Sequence, residues 1–216
     1  MKQKHQEIEK KVLEDILLLP KAPIQIIAID GVDGVGKTTF ADSIATRIKG
    51  TGRPVIRASV DNFHNPEDIR YRLGKKSPEG FFKDSYNYEK LKEVLIDPLL
   101  SGNLIYKTKI FNVQKNQAIS EEAKKAKPGS ILILDGIFLH RSELNHFWHY
   151  SIFLKAPFSI TIPRGAQRGY GNPELSAPSN HRYIAGQKIY LKSCQPEKIA
   201  SIVIDYSNLE SPELIS

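Results

Sequence analysis

Five short apolar segments, most of them rich in β-branched residues, recur along the chain. They lie at 24–29, 55–60, 131–134, 151–154 and 202–204. Nearly continuous apolar runs of this length suit strands that are covered on both faces of a parallel sheet. The pattern therefore predicts a buried sheet whose strands are spread over most of the sequence.

Helical patterns lie between these segments. Phe40, Ile44 and Ile48 recur at intervals of four and predict a helix that ends at Gly50. Other helical patterns occupy 1–19, 88–100, 141–148, 159–167 and 183–192. Strands that alternate with helices predict an α/β fold in which right-handed crossovers join parallel strands.

The stretch 61–129 breaks this alternation. It is rich in aromatic residues, carries the helical pattern at 88–100, and predicts a hairpin around 104–111. Because it is too long for a simple crossover, we interpret it as an insert that builds a ligand site on top of the sheet. No linker divides the sequence, so 1–216 is predicted to form a single domain.

Composition narrows the class of protein. The chain has 31 Lys and Arg against 24 Asp and Glu, a net charge of +7, but the lysines are dispersed and indicate a solvated surface. Cys194 is the single cysteine, which excludes an internal disulfide and favours a reducing compartment. No apolar run approaches the roughly 20 residues of a membrane helix. We expect a cytoplasmic protein with a small-molecule partner and no nucleic-acid or membrane partner. Both a monomer and a homo-oligomer are compatible with the sequence.

The strongest motif follows the first apolar segment. It matches G-x-x-x-x-G-K-[ST] at the point where a strand gives way to a helix, which is typical of a loop whose N–H groups bind phosphate. Lys37 is predicted to reach the β- and γ-phosphates of a nucleoside triphosphate, and the Thr38 hydroxyl to bind Mg²⁺. The residues assigned to the nucleotide are Gly31, Val32, Asp33, Gly34, Val35, Gly36, Lys37, Thr38 and Thr39.

Two acids follow other apolar segments. Asp135 ends the run at 131–134 and precedes Gly136, so it is predicted to be the second Mg²⁺ ligand, with a turn residue as the alternative. Asp61 follows the run at 55–60, at the edge where α/β sheets bind ligands. A carboxylate there can accept the proton of an attacking hydroxyl, although Asp61 could instead form a turn before Pro66. His64 is an alternative base, and a loop histidine without a role is the simpler interpretation.

Taken together, these segments resemble the uridine kinase-like branch of the uridine kinase and phosphoribulokinase group of P-loop kinases. The resemblance rests on DNFHNP (61–66), RYRLGKKSPEGFFKDSYNY (70–88), DGIF (135–138) and RYIAGQKIYL (182–191), in addition to the P-loop. It implies a P-loop NTPase-type sheet of five parallel strands, ATP as donor, Mg²⁺ as metal, and a nucleoside 5′-hydroxyl as acceptor. In the resemblance Asp61 matches the general base, and Asp135 stands where many members have Glu.

The resemblance also assigns residues to the acceptor and to a lid. Asp84 resembles an acid near the ribose, and Phe111 an aromatic residue next to the base, although Phe111 would also suit the core. Arg182 and Gln187 correspond to positions near the base or acceptor. The stretch 163–181 resembles a lid in which Arg164 and Arg168 close over the phosphates, Arg168 in a catalytic role; two solvated surface arginines are the alternative.

The leading hypothesis is an ATP- and Mg²⁺-dependent kinase of a nucleoside such as uridine or cytidine. A first alternative keeps the chemistry and changes the acceptor to another metabolite alcohol, such as pantothenate or a phosphosugar. A second alternative is a P-loop NTPase that is not a kinase, whose ATP consumption would not depend on an acceptor.

Overall fold

The computed structural model describes residues 2–215, so residues 1 and 216 of the predicted domain lie outside the description. The strands are β1 (Ile24–Gly31), β2 (Val55–Ser59), β3 (Ile105–Tyr106), β4 (Phe111–Asn112), β5 (Gln117–Ala118), β6 (Lys124–Lys125), β7 (Ser130–Gly136), β8 (Tyr150–Lys155), β9 (Ile202–Asp205) and β10 (Glu213–Leu214). The helices are α1 (Lys2–Leu18), α2 (Lys37–Gly50), α3 (Glu67–Arg70), α4 (Pro78–Asp84), α5 (Tyr88–Leu91), α6 (Asp97–Leu100), α7 (Phe158–Gln167), α8 (Pro178–Cys194) and α9 (Pro196–Ile199).

The central sheet confirms the predicted α/β fold. Its strand order is β10-β9-β8-β1-β7-β2, and β2, β7, β1, β8 and β9 run parallel. These are the five apolar segments of the sequence. Because β1 pairs with β7 on one side and β8 on the other, the loop that follows β1 lies in the middle of the sheet edge.

Alternate residues of β1 enter two separate cores. Ile26 and Ala28 belong to the core on the side of the insert, whereas Ile27 and Ile29 face the core under α1 and α2. A strand that is apolar on both faces needs cover on both faces, and the helices supply it. The sheet edge is thereby held rigidly from above and below.

Three sequence expectations need correction. The sheet has a sixth strand, β10, antiparallel to β9, because Glu213 pairs with Asp205; two residues are too short to show a periodic pattern. The expected hairpin at 104–111 is wrong: β3 pairs with β6 and β4 with β5, so each partner lies further along the chain. The expected helix at 141–148 is also wrong, since that segment contains turns and a 3₁₀ helix at Asn145–Phe147.

Tertiary contacts explain the missing helix. The N–H groups of Leu139 and His140, just before the segment, donate to the Asp30 carboxylate at 3.0 and 3.1 Å. The Arg141 side chain turns away to donate to the carbonyl of Phe82 at 2.6 Å. The spacing of apolar residues suits a helix, but these contacts satisfy the backbone in another way.

The remaining helical predictions are confirmed with shifted boundaries. The pattern at 88–100 forms α5 and α6, joined by a π-helical turn at Lys92–Ile96 that precedes Pro98. Helix α7 matches 159–167 closely, and α8 begins five residues before the predicted start at 183. None of the helices within 2–215 combines the length and apolar character needed to cross a membrane.

Candidate active site

The phosphate loop lies where the sequence predicts it, between β1 and α2. Gly34 has φ +74°, and a Cβ there would lie 2.1 Å from the carbonyl oxygen of Thr161 in α7, so only glycine fits. The first N–H groups of α2, beginning at Lys37, have no acceptor within the helix. Free N–H groups and the positive end of the helix dipole together favour an anionic group at this point.

The side chains of the loop are arranged around Lys37. Its ammonium donates to the carbonyl of Val32 at 3.0 Å and lies 4.0 Å from Asp33 Oδ1. The pKa of Asp33 is raised because its carboxyl group loses contact with water, although about half of the side chain is exposed. The positive charge of Lys37 acts in the opposite direction and lowers this pKa. Lys37 is thus held near the loop by weak neutral and ionic contacts that a phosphate could replace.

The two predicted metal ligands are brought together. The Thr38 hydroxyl donates to Asp135 Oδ2 at 2.8 Å, across the edge between α2 and β7. Both groups offer oxygen ligands, which Mg²⁺ prefers, and Mg²⁺ sites commonly combine one or two protein ligands with water and substrate phosphates. The pair therefore fits a magnesium ion bound together with a nucleotide. Within 2–215 no cluster of three or more His, Cys, Asp and Glu side chains could hold a metal.

Arg57 of β2 also binds this carboxylate, and sequence reasoning missed it. Its guanidinium donates to Asp135 Oδ1 at 3.0 Å and to Asp42 at 2.9 Å. Asp135 is almost fully buried, so Arg57 compensates a charge that would otherwise be costly. The signal available in the sequence was the single charged residue in the segment 55–60.

Asp61 lies at the carboxyl end of the neighbouring strand. It occupies the 3₁₀ turn Val60–Phe63 that follows β2, and its side chain is exposed at the sheet edge. Parallel register aligns Ser59 with Asp135, so Asp61 follows the strand end next to Asp135. The charge of Asp61 also contributes, after burial and Lys37, to the pKa of Asp33, which is raised.

The insert is attached to the turn that carries Asp61. The N–H of Ile110 donates to the carbonyl of Asn62 at 3.0 Å, which brings Phe111 of β4 beside the turn. Phe111 is largely buried. It belongs to neither of the two cores that cover the sheet, and a stacking role for its ring remains a prediction.

Asp84 is engaged by another residue. Both of its oxygens accept from Arg72, at 3.0 and 2.6 Å, and its side chain is buried. A ribose hydroxyl could donate to Asp84 only at the acceptor positions that Arg72 leaves, on a carboxylate that is largely buried. Asn87, the neutral residue in the same segment, caps α5 by accepting from the N–H of Lys90 at 2.9 Å.

Gln187 contacts the phosphate loop. Its Oε1 accepts from the N–H of Asp33 at 2.7 Å, and the side chain is buried. This N–H is consequently directed at α8 instead of at a phosphate. The assignment of Gln187 to the acceptor stays a prediction, and the structure adds a contact that links α8 to the loop.

The predicted arginines lie in three different settings. Arg182 is buried and donates to the carbonyls of Lys75 and Arg70 at 2.8 and 3.1 Å, holding the loop before α4. Arg164 donates to the carbonyls of Tyr206 and Ser207 after β9. Arg168 is exposed just after α7, without a side-chain hydrogen bond within the described residues.

A buried network next to the loop was also missed. The fully buried Asp30, the last residue before Gly31, accepts from the N–H of Gly31 at 2.6 Å and from His140 Nδ1 at 2.8 Å. The hydroxyl of Tyr190 in α8 donates to the same carboxylate. Burial, together with the negative charge of Asp30, raises the pKa of Tyr190 well above its usual value. The network joins β1, the segment after β7, and α8. Its signal in the sequence was an acid between the apolar run at 24–29 and the glycine that begins the loop.

Comparison with known proteins places the fold. The sequence matches no protein-family model and no curated protein. Among solved structures it is similar to a possible uridine kinase from Bacillus stearothermophilus, with 20% identity, a TM-score of 0.74, and coverage of 92% of this chain and 97% of the other. It is also similar to a putative fructose transport system kinase from a Silicibacter species (22% identity, TM-score 0.68, 85% and 94% covered). A D-glycerate 3-kinase from Cryptococcus neoformans is more distant (11% identity, TM-score 0.58, 99% and 98% covered).

These similarities confirm the class of fold that the sequence predicted. The chain has the α/β fold of the uridine kinase-like P-loop kinases, with a largely parallel sheet flanked by helices. The neighbours carry different acceptor names, so they do not identify the acceptor of this chain.

Proposed function

We propose that the protein is an ATP- and Mg²⁺-dependent kinase that transfers the γ-phosphoryl group to a hydroxyl of a small molecule. The observation that carries the proposal is the position of Asp61: it follows β2, whose last residue pairs with Asp135, and Asp135 in turn accepts from Thr38 at the start of α2. A protein that only binds a nucleotide has no need of an exposed carboxylate where an acceptor would lie. The solved kinases of the same fold support the reaction class.

Each residue has a task in this proposal. The N–H groups at the start of α2 bind the phosphates, and Lys37 exchanges the Val32 carbonyl for phosphate oxygens. Asp61 orients the acceptor hydroxyl and accepts its proton. Thr38 and Asp135 would hold Mg²⁺, which neutralises negative charge on the phosphates when it is bound. Arg164 and Arg168 belong to the proposed lid (163–181), and Arg168, which is exposed, is the arginine proposed to act on the transferring group.

The proposed acceptor is the 5′-hydroxyl of a nucleoside such as uridine or cytidine. It is supported by the DNFHNP and SPEGFFKDSY segments and by the similarity to a possible uridine kinase. Asp84, Phe111, Arg182 and Gln187 are its proposed contacts. The insert 61–129 carries the first two of these.

A second candidate is a kinase of a non-nucleoside alcohol. The closed Asp84–Arg72 ion pair and the capping role of Asn87 favour it, because both side chains of the supposed ribose segment are already engaged. The similarity to structures named for fructose transport and for glycerate supports the same alternative.

One assay separates the candidates. The protein is incubated with ATP, Mg²⁺ and single acceptors from a panel of nucleosides, sugars and hydroxy acids, and ADP and the product mass are followed. A nucleoside kinase gives ADP and a mass increase of one phosphoryl group only with nucleosides. ADP formation at the same rate without any acceptor would overturn the kinase proposal in favour of a simple NTPase.

A further inference from the structure

The segments 63–65 and 85–87 pair along their backbones next to the turn that carries Asp61. His64 and Tyr86 form an antiparallel β-bridge. On either side of it, the N–H of Asn65 donates to the carbonyl of Ser85 at 2.9 Å and the N–H of Asn87 to that of Phe63 at 2.7 Å. The backbone of Tyr86 is therefore fixed against the turn that carries Asp61.

The Tyr86 side chain is directed at Asp61. Its hydroxyl donates to Asp61 Oδ1 at 2.8 Å. The tyrosine is only 5% exposed, whereas Asp61 is exposed, so the donor comes from the protein interior and the carboxylate remains open to solvent. Asp61 Oδ2 has no hydrogen-bond partner within the part of the chain that the structure describes.

The neighbouring groups keep the Tyr86 hydroxyl in place and protonated. Its ring packs against His64, with centroids 4.5 Å apart, and against Tyr88 and Phe138 at 6.1 and 6.4 Å. Burial, together with the nearby charge of Asp61, raises the pKa of Tyr86 well above its usual value. The hydroxyl is thus protonated at neutral pH and can donate to the carboxylate.

We propose that Tyr86 is a positioning residue: it holds Oδ1 of Asp61 and so presents Oδ2 to the acceptor hydroxyl. The inference rests on the proposed kinase function. In the reaction, the acceptor O–H proton passes to Oδ2 while the acceptor oxygen bonds to the γ-phosphorus. The bond from that phosphorus to the bridging oxygen breaks, and its electron pair leaves with ADP. A carboxylate of fixed orientation keeps Oδ2 within hydrogen-bond reach of the acceptor hydroxyl.

The chain offers a matched control. Tyr86→Phe removes the hydroxyl and keeps the ring, so the packing is preserved. Tyr88→Phe removes a hydroxyl from the neighbouring ring, one that is buried and has no hydrogen-bond partner among residues 2–215. The two variants lose the same atom from the same aromatic cluster, but only the first loses a contact with Asp61.

The kinetic arm compares both variants with the wild type on the acceptor that the panel identifies. For Tyr86→Phe we expect kcat to fall about 10–10²-fold, because misplacing a reacting group by about 1 Å costs up to that factor. The KM for ATP should stay within about twofold, since the phosphate loop is untouched. Tyr88→Phe should keep the wild-type kcat. A wild-type kcat in Tyr86→Phe, or an equal loss in both variants, would overturn the inference.

The structural arm does not depend on turnover. Crystal structures of the wild type and both variants should show one Asp61 orientation in the wild type and in Tyr88→Phe, and a changed or divided orientation in Tyr86→Phe. An unchanged Asp61 in Tyr86→Phe would overturn the positioning role. A wild type that forms no ADP with any acceptor would instead overturn the proposed function, and the catalytic meaning of Tyr86 with it, while the crystal structures still decide whether Tyr86 sets the orientation of Asp61.

Discussion

At the scale of single residues, two charged groups of the candidate site accept from or donate to a neutral partner. Lys37 rests on the Val32 carbonyl, and Asp61 receives the hydroxyl of Tyr86. A phosphate can replace the Val32 carbonyl as the acceptor of Lys37 at little cost in free energy. An acceptor hydroxyl can donate to Oδ2 of Asp61, which Tyr86 leaves free. Substitutions at these positions should therefore change turnover more than stability.

Lys37→Ala should reduce phosphoryl transfer by about 10²–10³-fold or more, because the ammonium is the cation nearest the expected phosphates. The free energy of unfolding should change little, since the Lys37 side chain is not part of either core. The measurement is ADP formation at saturating ATP, alongside urea unfolding. Lys49→Ala, an exposed lysine at the other end of α2, is the control. Full turnover in Lys37→Ala would contradict the phosphate-loop assignment.

Asp61→Asn tests the general base without disturbing its surroundings. An asparagine oxygen can still accept from Tyr86, so the geometry is kept while the proton acceptor is lost. We expect kcat to fall about 10²–10⁴-fold while ATP still binds. Steady-state kinetics and ATP titration measure the two effects, with Asp68→Asn at an exposed position as control. Asparagine would serve equally well in a simple turn, so near-normal turnover would exclude the base role.

At the scale of elements, helices that pack on the sheet fix the positions of the phosphate loop and the insert. Helix α8 packs closely on α4, because a Cβ at Gly186 would lie 2.7 Å from Phe81 Cδ1 and from the Pro78 carbonyl oxygen. The adjacent Gln187 binds the phosphate loop. Helix α8 thus connects the insert directly with the loop.

Helix α1 gives a test of the core on the other face. Ile16 is fully buried in the core shared with α2, whereas Leu18, two residues later, is 82% exposed. Ile16→Ala should lower the free energy of unfolding by about 2–5 kcal/mol. Leu18→Ala should change it by less than about 0.5 kcal/mol. Urea unfolding with an unchanged m-value measures both, and equal effects would show that α1 does not pack as described.

At the scale of the whole molecule, nucleotide binding should stabilise the fold, in part through Mg²⁺ held by the proposed ligands Thr38 and Asp135. ATP with Mg²⁺ at about a hundred times its Kd should add about 2.7 kcal/mol to the free energy of unfolding. In Asp135→Asn the share of this gain that depends on Mg²⁺ should shrink, with partial recovery in Mn²⁺. Thermal unfolding with ATP alone, with Mg²⁺ and with Mn²⁺ measures it.

The same variant distinguishes a metal ligand from a structural acid. The change Asp135→Asn would leave Arg57 with one carboxylate fewer, so some stability should be lost even without a ligand. If Asp135 has only this structural task, the loss should appear while the gain from Mg²⁺ stays as large as in the wild type. That result would remove Asp135 from the metal site.

Much of this protein could be predicted from the sequence by itself. The five parallel strands, the phosphate loop and the positions of Asp61 and Asp135 at strand ends follow from local signals: apolar runs, glycine spacing, and acids where runs stop. Each of these signals lies within a few residues. These local signals are sufficient because parallel strands bring their carboxyl ends to the same edge of the sheet, whatever segments connect them.

Only the tertiary structure decided which side chains meet. The Tyr86–Asp61, Arg57–Asp135 and Gln187–Asp33 contacts join residues that are 25, 78 and 154 positions apart. The turns at 141–148 and the short strand β10 likewise depend on partners elsewhere, since Asp30 binds the backbone before the turns and β9 pairs with β10. A hydrogen bond needs an atom within about 3 Å, and sequence patterns do not determine distances across a fold.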